Sequence, residues 1–200
     1  MGQNPQIVLA STSKYRKVLL EKLSVPFSQI DPDYIERSIT DESPEQKALR
    51  LARGKAVAGA QKLLSEGSFV AIGSDQVASC GSMLLSKPGS FDKAKQQLMA
   101  CRGQWVSFHT GLALVDQDGN ELASCVDDYH LKFRDLPDQI IEQYLRLDEP
   151  YDCAGSIKAE SHGILLLEET RGLDINTLYG LPLIKLTSVF MDLGLTNNVN

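Results

Sequence analysis

The sequence predicts an α/β domain of the α+β kind, built around a mixed sheet, on three observations. Short apolar strands alternate with amphipathic helices early in the chain, longer strands follow in a run, and no repeat or linker marks a second domain. Residues 1–200 are therefore read as a single domain.

Ile7 to Ala10 is a short apolar strand, and Ser11, Thr12 and Ser13 supply hydroxyls suited to capping a helix that reaches about Leu23. A second strand is expected at Phe27 to Ile30. Ser43-Pro44-Glu45-Gln46 combines a cap residue, proline at the first helical position and glutamine at the third, which is a capping-box start. Leu49, Ala52, Ala56, Ala60 and Leu63 then recur at helical spacing, and Gly67 is the expected stop. Phe69 to Gly73 is continuously apolar, as in a strand buried on both faces, and is expected to end at Ser74. Residues 77–80 and 83–86 read as a hairpin turning at Gly81-Ser82 and closed by Pro88-Gly89.

A helix from Phe91 to about Ala100 leads into strands at Trp105 to Val115 and Leu122 to Phe133, joined by a turn at Asp118-Gly119-Asn120. Pro137 opens a helix to about Leu147. A strand at Gly163 to Leu167 and a helix from Pro182 to Leu193 are expected to complete the fold.

Composition narrows the function. The 42% hydrophobic content suits a globular core, and the formal charge of -6 argues against a nucleic-acid surface, which needs clustered Lys and Arg. A small anionic ligand needs only a few local cations. Cys80, Cys101, Cys125 and Cys153 form no CxxC pair, so neither a zinc site nor a redox motif is expected and the thiols are read as reduced. With no signal-like start and no long apolar run, the protein is expected in the cytoplasm, with no membrane partner.

Arg16 lies on the helical stripe of Leu19, Leu20 and Leu23, a cation where core is expected. It is either a snorkelling side chain or part of a phosphate site formed with the helix N-terminus and the Ser11 to Ser13 hydroxyls. Asp75, just past the apolar strand, can hold a divalent cation or orient water, or merely cap a turn. Gln76 beside it can bind a base or face water. Lys55, at the edge of its helix's apolar stripe, and Lys87, held extended by Pro88, read singly as solvated lysines; Glu36 and Glu160 carry no local signal. His109, His130 and His162 lack ligand spacing, and no GxSxG, Walker or HExxH pattern is present.

Taken in order, Ala10-Ser11-Thr12-Ser13-Lys14-Tyr15-Arg16, Arg53-Gly54-Lys55-Ala56, Gly73-Ser74-Asp75-Gln76, Ser86-Lys87-Pro88 and Gly172 to Thr177 followed by Gly180-Leu181-Pro182 resemble the Maf family of nucleotide pyrophosphatases. The likeness spans about residues 7 to 194. It implies a fold related to inosine triphosphate pyrophosphatase, with a substrate cleft between two lobes. It also implies that Ser13, Arg16, Lys55 and Lys87 contact the triphosphate, that Glu36 and Asp75 serve a metal, Mg²⁺ or Mn²⁺, and that Asp75 accepts the proton of the attacking water. Tyr15, Gln76 and Glu160 occupy positions the family uses for base choice.

The Gly-Ser-Asp-Gln form, with Cys153 to Ser156 and Glu160, resembles the branch acting on 7-methylguanosine triphosphate; Tyr15 departs from the tryptophan common there. Two alternatives stay open: the same chemistry on dTTP, UTP or modified pyrimidine nucleotides, and a non-catalytic nucleotide-binding regulator of septum formation. A homodimer is in keeping with the resemblance.

Overall fold

The computed structural model describes residues 5–63 and 67–195. In chain order the elements are β1 (Gln6–Ala10), α1 (Lys14–Glu21), β2 (Phe27–Ile30), α2 (Pro44–Lys62), β3 (Phe69–Cys80), β4 (Met83–Leu85), α3 (Phe91–Cys101), β5 (Trp105–Asp116), β6 (Glu121–Phe133), α4 (Asp138–Asp148), β7 (Leu167–Arg171), α5 (Ile175–Leu178) and α6 (Leu183–Asp192). Seven strands form one sheet in the order β2-β1-β3-β5-β6-β7, with β4 paired to β3. The sheet is mixed: β1 pairs in parallel with β2 and β3, whereas β3 with β4 and β6 with β7 are antiparallel.

The chain divides into two compact units. The first holds the described parts of Met1–Gln76, His109–Asp127 and Asp174–Asn200, and the second holds Val77–Phe108 and Asp128–Leu173. In the first unit the apolar residues of β1 divide by strand alternation. Ile7 and Leu9 pack with Leu19 and Leu20 of α1, Val70, Ile72, Leu112, Leu114, Leu186 and Phe190, while Val8 faces Ala52, Ala56, Ala60, Phe69, Ala71, Ala113 and Val115.

Close packing of α2 depends on glycine. A Cβ on Gly73 of β3 would stand 2.1 Å from the Ala52 carbonyl oxygen and 2.5 Å from the Ala56 nitrogen, and one on Gly111 of β5 would stand 2.3 Å from the Ala48 carbonyl oxygen. Two strands are thus bare where the helix backbone lies against them. That contact sets the height of Lys55 above the sheet.

Several expected elements are displaced. β3 does not end at Ser74 but runs unbroken to Cys80, so Asp75 lies inside a strand. The physical basis of the expectation survives in altered form: the β1 register ends at Leu9 opposite Ile72, and β3 continues beyond its parallel neighbour's carboxyl end. Of the strand expected at Gly163 to Leu167, residues 163–166 lie in a 3₁₀ turn, His162–Leu166, and only Leu167 is strand, opening β7 as Leu-Glu-Glu-Thr-Arg with four exposed residues. An exposed, charged strand offers no apolar alternation to read. α2 ends at Lys62 rather than at Gly67, its expected continuation through 64–66 lies outside the described residues, and its buried stripe includes Ala48 and Leu51 rather than Leu49. The expected capping box is present, with Ser43 Oγ accepting from the Gln46 N–H and Gln46 Oε1 accepting from the Ser43 N–H.

Candidate active site

The first unit gathers charge at the carboxyl end of β1. Ser13 caps α1, its Oγ accepting from the Arg16 N–H at 3.3 Å, and Ser11 Oγ accepts from the Ser13 N–H. Gln29 of β2 clamps the same loop, donating to the Ser11 and Ser13 carbonyls at 2.7 and 3.2 Å. The side chain of Arg16 turns back from α1: Nε donates to the Gly180 carbonyl at 2.8 Å, and Nη1 reaches Ser11 Oγ at 3.4 Å. Ser74 Oγ donates to that same Gly180 carbonyl at 2.9 Å. Gly180 has φ +99, a conformation that disfavours a side chain, and a Cβ there would lie 3.5 Å from Arg16 Nε.

Burial pulls the Arg16 guanidinium below its ordinary value, while the negative charges of Asp75 and Glu36 pull the other way. An arginine so placed remains a cation. It is therefore a buried positive group anchored on the Gly180 carbonyl and within the field of two carboxylates, rather than a snorkelling surface residue.

Lys55 joins those carboxylates. Its Nζ lies 2.5 Å from Asp75 Oδ1 and 2.7 Å from Glu36 Oε1. The lysine and aspartate side chains are 14% and 12% exposed, whereas Glu36 is 49% exposed, so the pair is sheltered and the glutamate reaches it from the surface. Glu36 belongs to the irregular segment 31–43, which is tied to α2 in two ways. Arg50 binds Glu42 through Nε and Nη2, both at 2.6 Å, and donates to the Arg37 carbonyl at 3.1 Å. Tyr34 lies over Gly54, where a Cβ would sit 2.2 Å from the ring. The Arg-Gly-Lys sequence of α2 therefore contributes through its glycine as well as its lysine.

Two carboxylates converging on one ammonium mark a place where a cation is stabilised. Among the described residues no group of three or more His, Cys, Asp or Glu side chains is arranged to hold a metal. This donor set fits Mg²⁺, which takes one or two carboxylates and completes its shell with water and substrate phosphates. It does not fit an ion caged wholly by protein.

Gln76 follows Asp75 on β3 and donates from Nε2 to the carbonyls of Thr177 and Leu178 and to Thr110 Oγ1. Thr110 and Thr177 are buried, and neither residue type nor spacing singled them out as partners; only the Gly172 to Thr177 motif pointed near them. Tyr15 stands on the exposed side of α1, at 44% exposure.

Lys87 and Glu160 belong to the second unit, both on exposed irregular segments. The segment after β4 is anchored by Gly89 N–H donating to the Tyr151 carbonyl and by Gln97 Nε2 donating to the Ser86 carbonyl. The segment carrying Glu160 is held by Tyr144, whose hydroxyl donates to the Ser156 carbonyl and accepts from the Lys158 N–H at 2.8 Å. Asp148 Oδ1 also takes Ser161 Oγ at 3.0 Å and His162 Nδ1 at 2.6 Å. Of the residues expected to form a site, the first unit holds Ser13, Tyr15, Arg16, Glu36, Lys55, Asp75 and Gln76, with Glu36, Lys55 and Asp75 in direct contact, and the second holds Lys87 and Glu160.

Among the described residues no helix is long and apolar enough to cross a membrane. The pattern of the Maf-like protein family matches residues 6–193. A 7-methyl-GTP pyrophosphatase of Bordetella avium (strain 197N) is 46% identical over 195 residues, covering 98% of this chain and 96% of that protein. One of Vibrio vulnificus (strain CMCP6) is 42% identical over 193 residues, covering 96% and 97%. A crystal structure of a nucleoside-triphosphatase, dITP/XTP pyrophosphatase, from Mycobacterium abscessus is similar at a TM-score of 0.43 and 17% identity, over 66% of this chain and 76% of that one. With the family pattern running through nearly all of its length and near-full-length relatives above 40% identity, the chain belongs to the Maf family.

Proposed function

We propose that this protein is a nucleoside triphosphate pyrophosphatase that hydrolyses the α-β phosphoanhydride bond, with 7-methyl-GTP as substrate and 7-methyl-GMP and diphosphate as products. The observation that carries the reading is the Lys55 ammonium set between Asp75 and Glu36, with the buried Arg16 guanidinium in the same unit within the field of both carboxylates. Relatives named 7-methyl-GTP pyrophosphatase, aligned over nearly their whole length, support the choice of substrate.

In this reading Arg16, Lys55 and Lys87 neutralise the triphosphate, with Ser13 contributing its hydroxyl, and hold the α-phosphorus for in-line attack by water. Asp75 orients the water and accepts its proton; the ammonium on Oδ1 fixes the carboxylate for that task. Glu36 and Asp75 would hold Mg²⁺ together with the substrate's phosphate oxygens, and the bound ion would supply charge neutralisation and a more acidic water. Tyr15, Gln76 and Glu160 choose the base, Tyr15 by stacking on the cationic methylated ring. The protein works in the cytoplasm, where nucleotides are met.

The test is pyrophosphate release from 7-methyl-GTP, GTP, dTTP and UTP, with and without Mg²⁺, for the wild type and Asp75→Asn. Turnover of 7-methyl-GTP should lead the panel and fall with chelator, and the variant should lose about 10²-fold or more, the scale of a positioned general base. A folded Asp75→Asn protein with near-normal turnover removes that residue from the role. Preference for the pyrimidine nucleotides replaces the substrate, and stoichiometric binding without pyrophosphate release replaces the reaction.

A further inference from the structure

We infer that Gln76 is locked with its carbonyl oxygen Oε1 as the atom it offers to a nucleobase, and that Thr110, Thr177 and Asp127 are positioning residues that hold it so. The inference rests on the reading of residue 76 as base-selecting, and it states what that residue selects: a base whose ring nitrogen carries a hydrogen, of the guanine or uracil type, over an adenine-type ring nitrogen that can only accept.

The orientation of a side-chain amide follows from its neighbours. Gln76 Nε2 lies 2.9 Å from the Thr177 carbonyl oxygen and 3.0 Å from that of Leu178. Backbone carbonyls only accept, so the atom between them is the nitrogen. Turning the amide over would press its oxygen against two others and leave them without donors.

Thr110 Oγ1, the third acceptor at 3.0 Å, gives its own proton to the Thr177 carbonyl at 2.8 Å, which leaves its lone pairs for Gln76. Thr177 Oγ1 in turn donates to Asp127 Oδ2 at 2.5 Å, so the buried hydroxyls are both spent as donors. All five residues, from β3, β5, β6 and α5, lie in the first unit. Because the amide nitrogen is committed to these three acceptors, Oε1 is the polar atom of the side chain that they do not engage. Methylation at N7 leaves the guanine N1–H in place and adds positive charge to the ring, which makes that hydrogen a stronger donor to a carbonyl.

Matched substrate pairs test this: 7-methyl-GTP against 1,7-dimethyl-GTP, and UTP against 3-methyl-UTP, each pair differing only in whether the ring nitrogen keeps its hydrogen. The wild type should lose about 10- to 100-fold in kcat/KM on ring N-methylation, the scale of an unpaired buried polar group. Gln76→Met should bring that ratio close to one. Thr110→Val should shrink it about fivefold by slowing only the unmethylated member, with Thr110→Ser restoring it. A loss shared equally by both members of a pair would make Thr110 merely structural and overturn the proposal, as would a wild-type ratio of one. The wild-type ratio needs no variant, so a poorly folding Thr110→Val leaves the test standing. If UTP is preferred to 7-methyl-GTP, the proposed substrate fails while the uracil pair still decides this inference. If none of the four releases pyrophosphate, and calorimetry detects no binding of their monophosphates, both fall.

Discussion

The two units hold their candidate residues by different physics. In the first, charged side chains hold one another: Lys55 lies between Asp75 and Glu36, Arg16 is anchored on a carbonyl, and the Glu36 segment is fastened by the Arg50–Glu42 pair. In the second, the turns that carry Lys87 and Glu160 lean mostly on neutral donors, Gln97 and the buried Tyr144 hydroxyl, which burial pushes up beyond any working pH, with the Asp148 carboxylate as one charged anchor beside Glu160. A preorganised charge cluster suits a triphosphate, which carries several negative charges at neutral pH. Exposed side chains on hydrogen-bonded turns suit contacts that form only when a ligand arrives.

The contrast can be broken most forcefully at the helix–strand contact under the first cluster. Gly73→Ala places a methyl where the Ala52 and Ala56 backbone already lies. Rigid backbone cannot yield as a flexible side chain would, so the variant should lose about 3 kcal/mol in urea unfolding, and activity should fall with it as Lys55 moves off Asp75. A variant of wild-type stability and activity would mean that α2 does not set the position of Lys55. Next in size is Tyr144→Phe. It strips one donor and one acceptor from the turn that carries Glu160 and should cost about 1–2 kcal/mol, unchanged between acid and neutral pH because the lost group is neutral throughout. A pH-dependent loss there would erase the distinction between the units.

How much of this was legible in the sequence depends on how local the signal is. The Ser43 capping box and the Ser13 cap were readable because cap and amide lie three residues apart in the chain. Arg16 stood out because a cation broke an apolar stripe. The bridge from Lys55 to Asp75 and Glu36 could not be read from periodicity, since it joins residues about 20 apart through a packing contact at Gly73; there the family resemblance supplied what spacing could not. Thr110 and Asp127 carried no signal at all, because a buried threonine in a strand and an acid on a half-exposed strand have ordinary reasons to be there. The extension of β3 past Ser74 was missed because Ser, Asp and Gln are poor strand formers, and tertiary pairing overrode that preference. β7 was misplaced for the converse reason: 163–166 is apolar but forms a 3₁₀ turn, and the true strand is charged.

The smallest expected effect is also the most diagnostic of the first unit's dependence on charge. Arg50 holds the Glu42 carboxyl below its ordinary value of 4.5, chiefly through the hydrogen bonds it donates to it. A carboxyl depressed in the folded protein contributes stability that is present above its unfolded value and is lost as the pH falls through the lower, folded one. Glu42→Gln should therefore cost about 1 kcal/mol at neutral pH, and its deficit relative to wild type should close as the solution is taken well below pH 4.5. Because Arg50 also donates to the Arg37 carbonyl next to Glu36, turnover at neutral pH should fall a few-fold in the same variant. Urea unfolding of both proteins across that range decides the matter: a deficit that stays constant into acid would mean that packing rather than charge fastens this segment, and the two units would then be held alike.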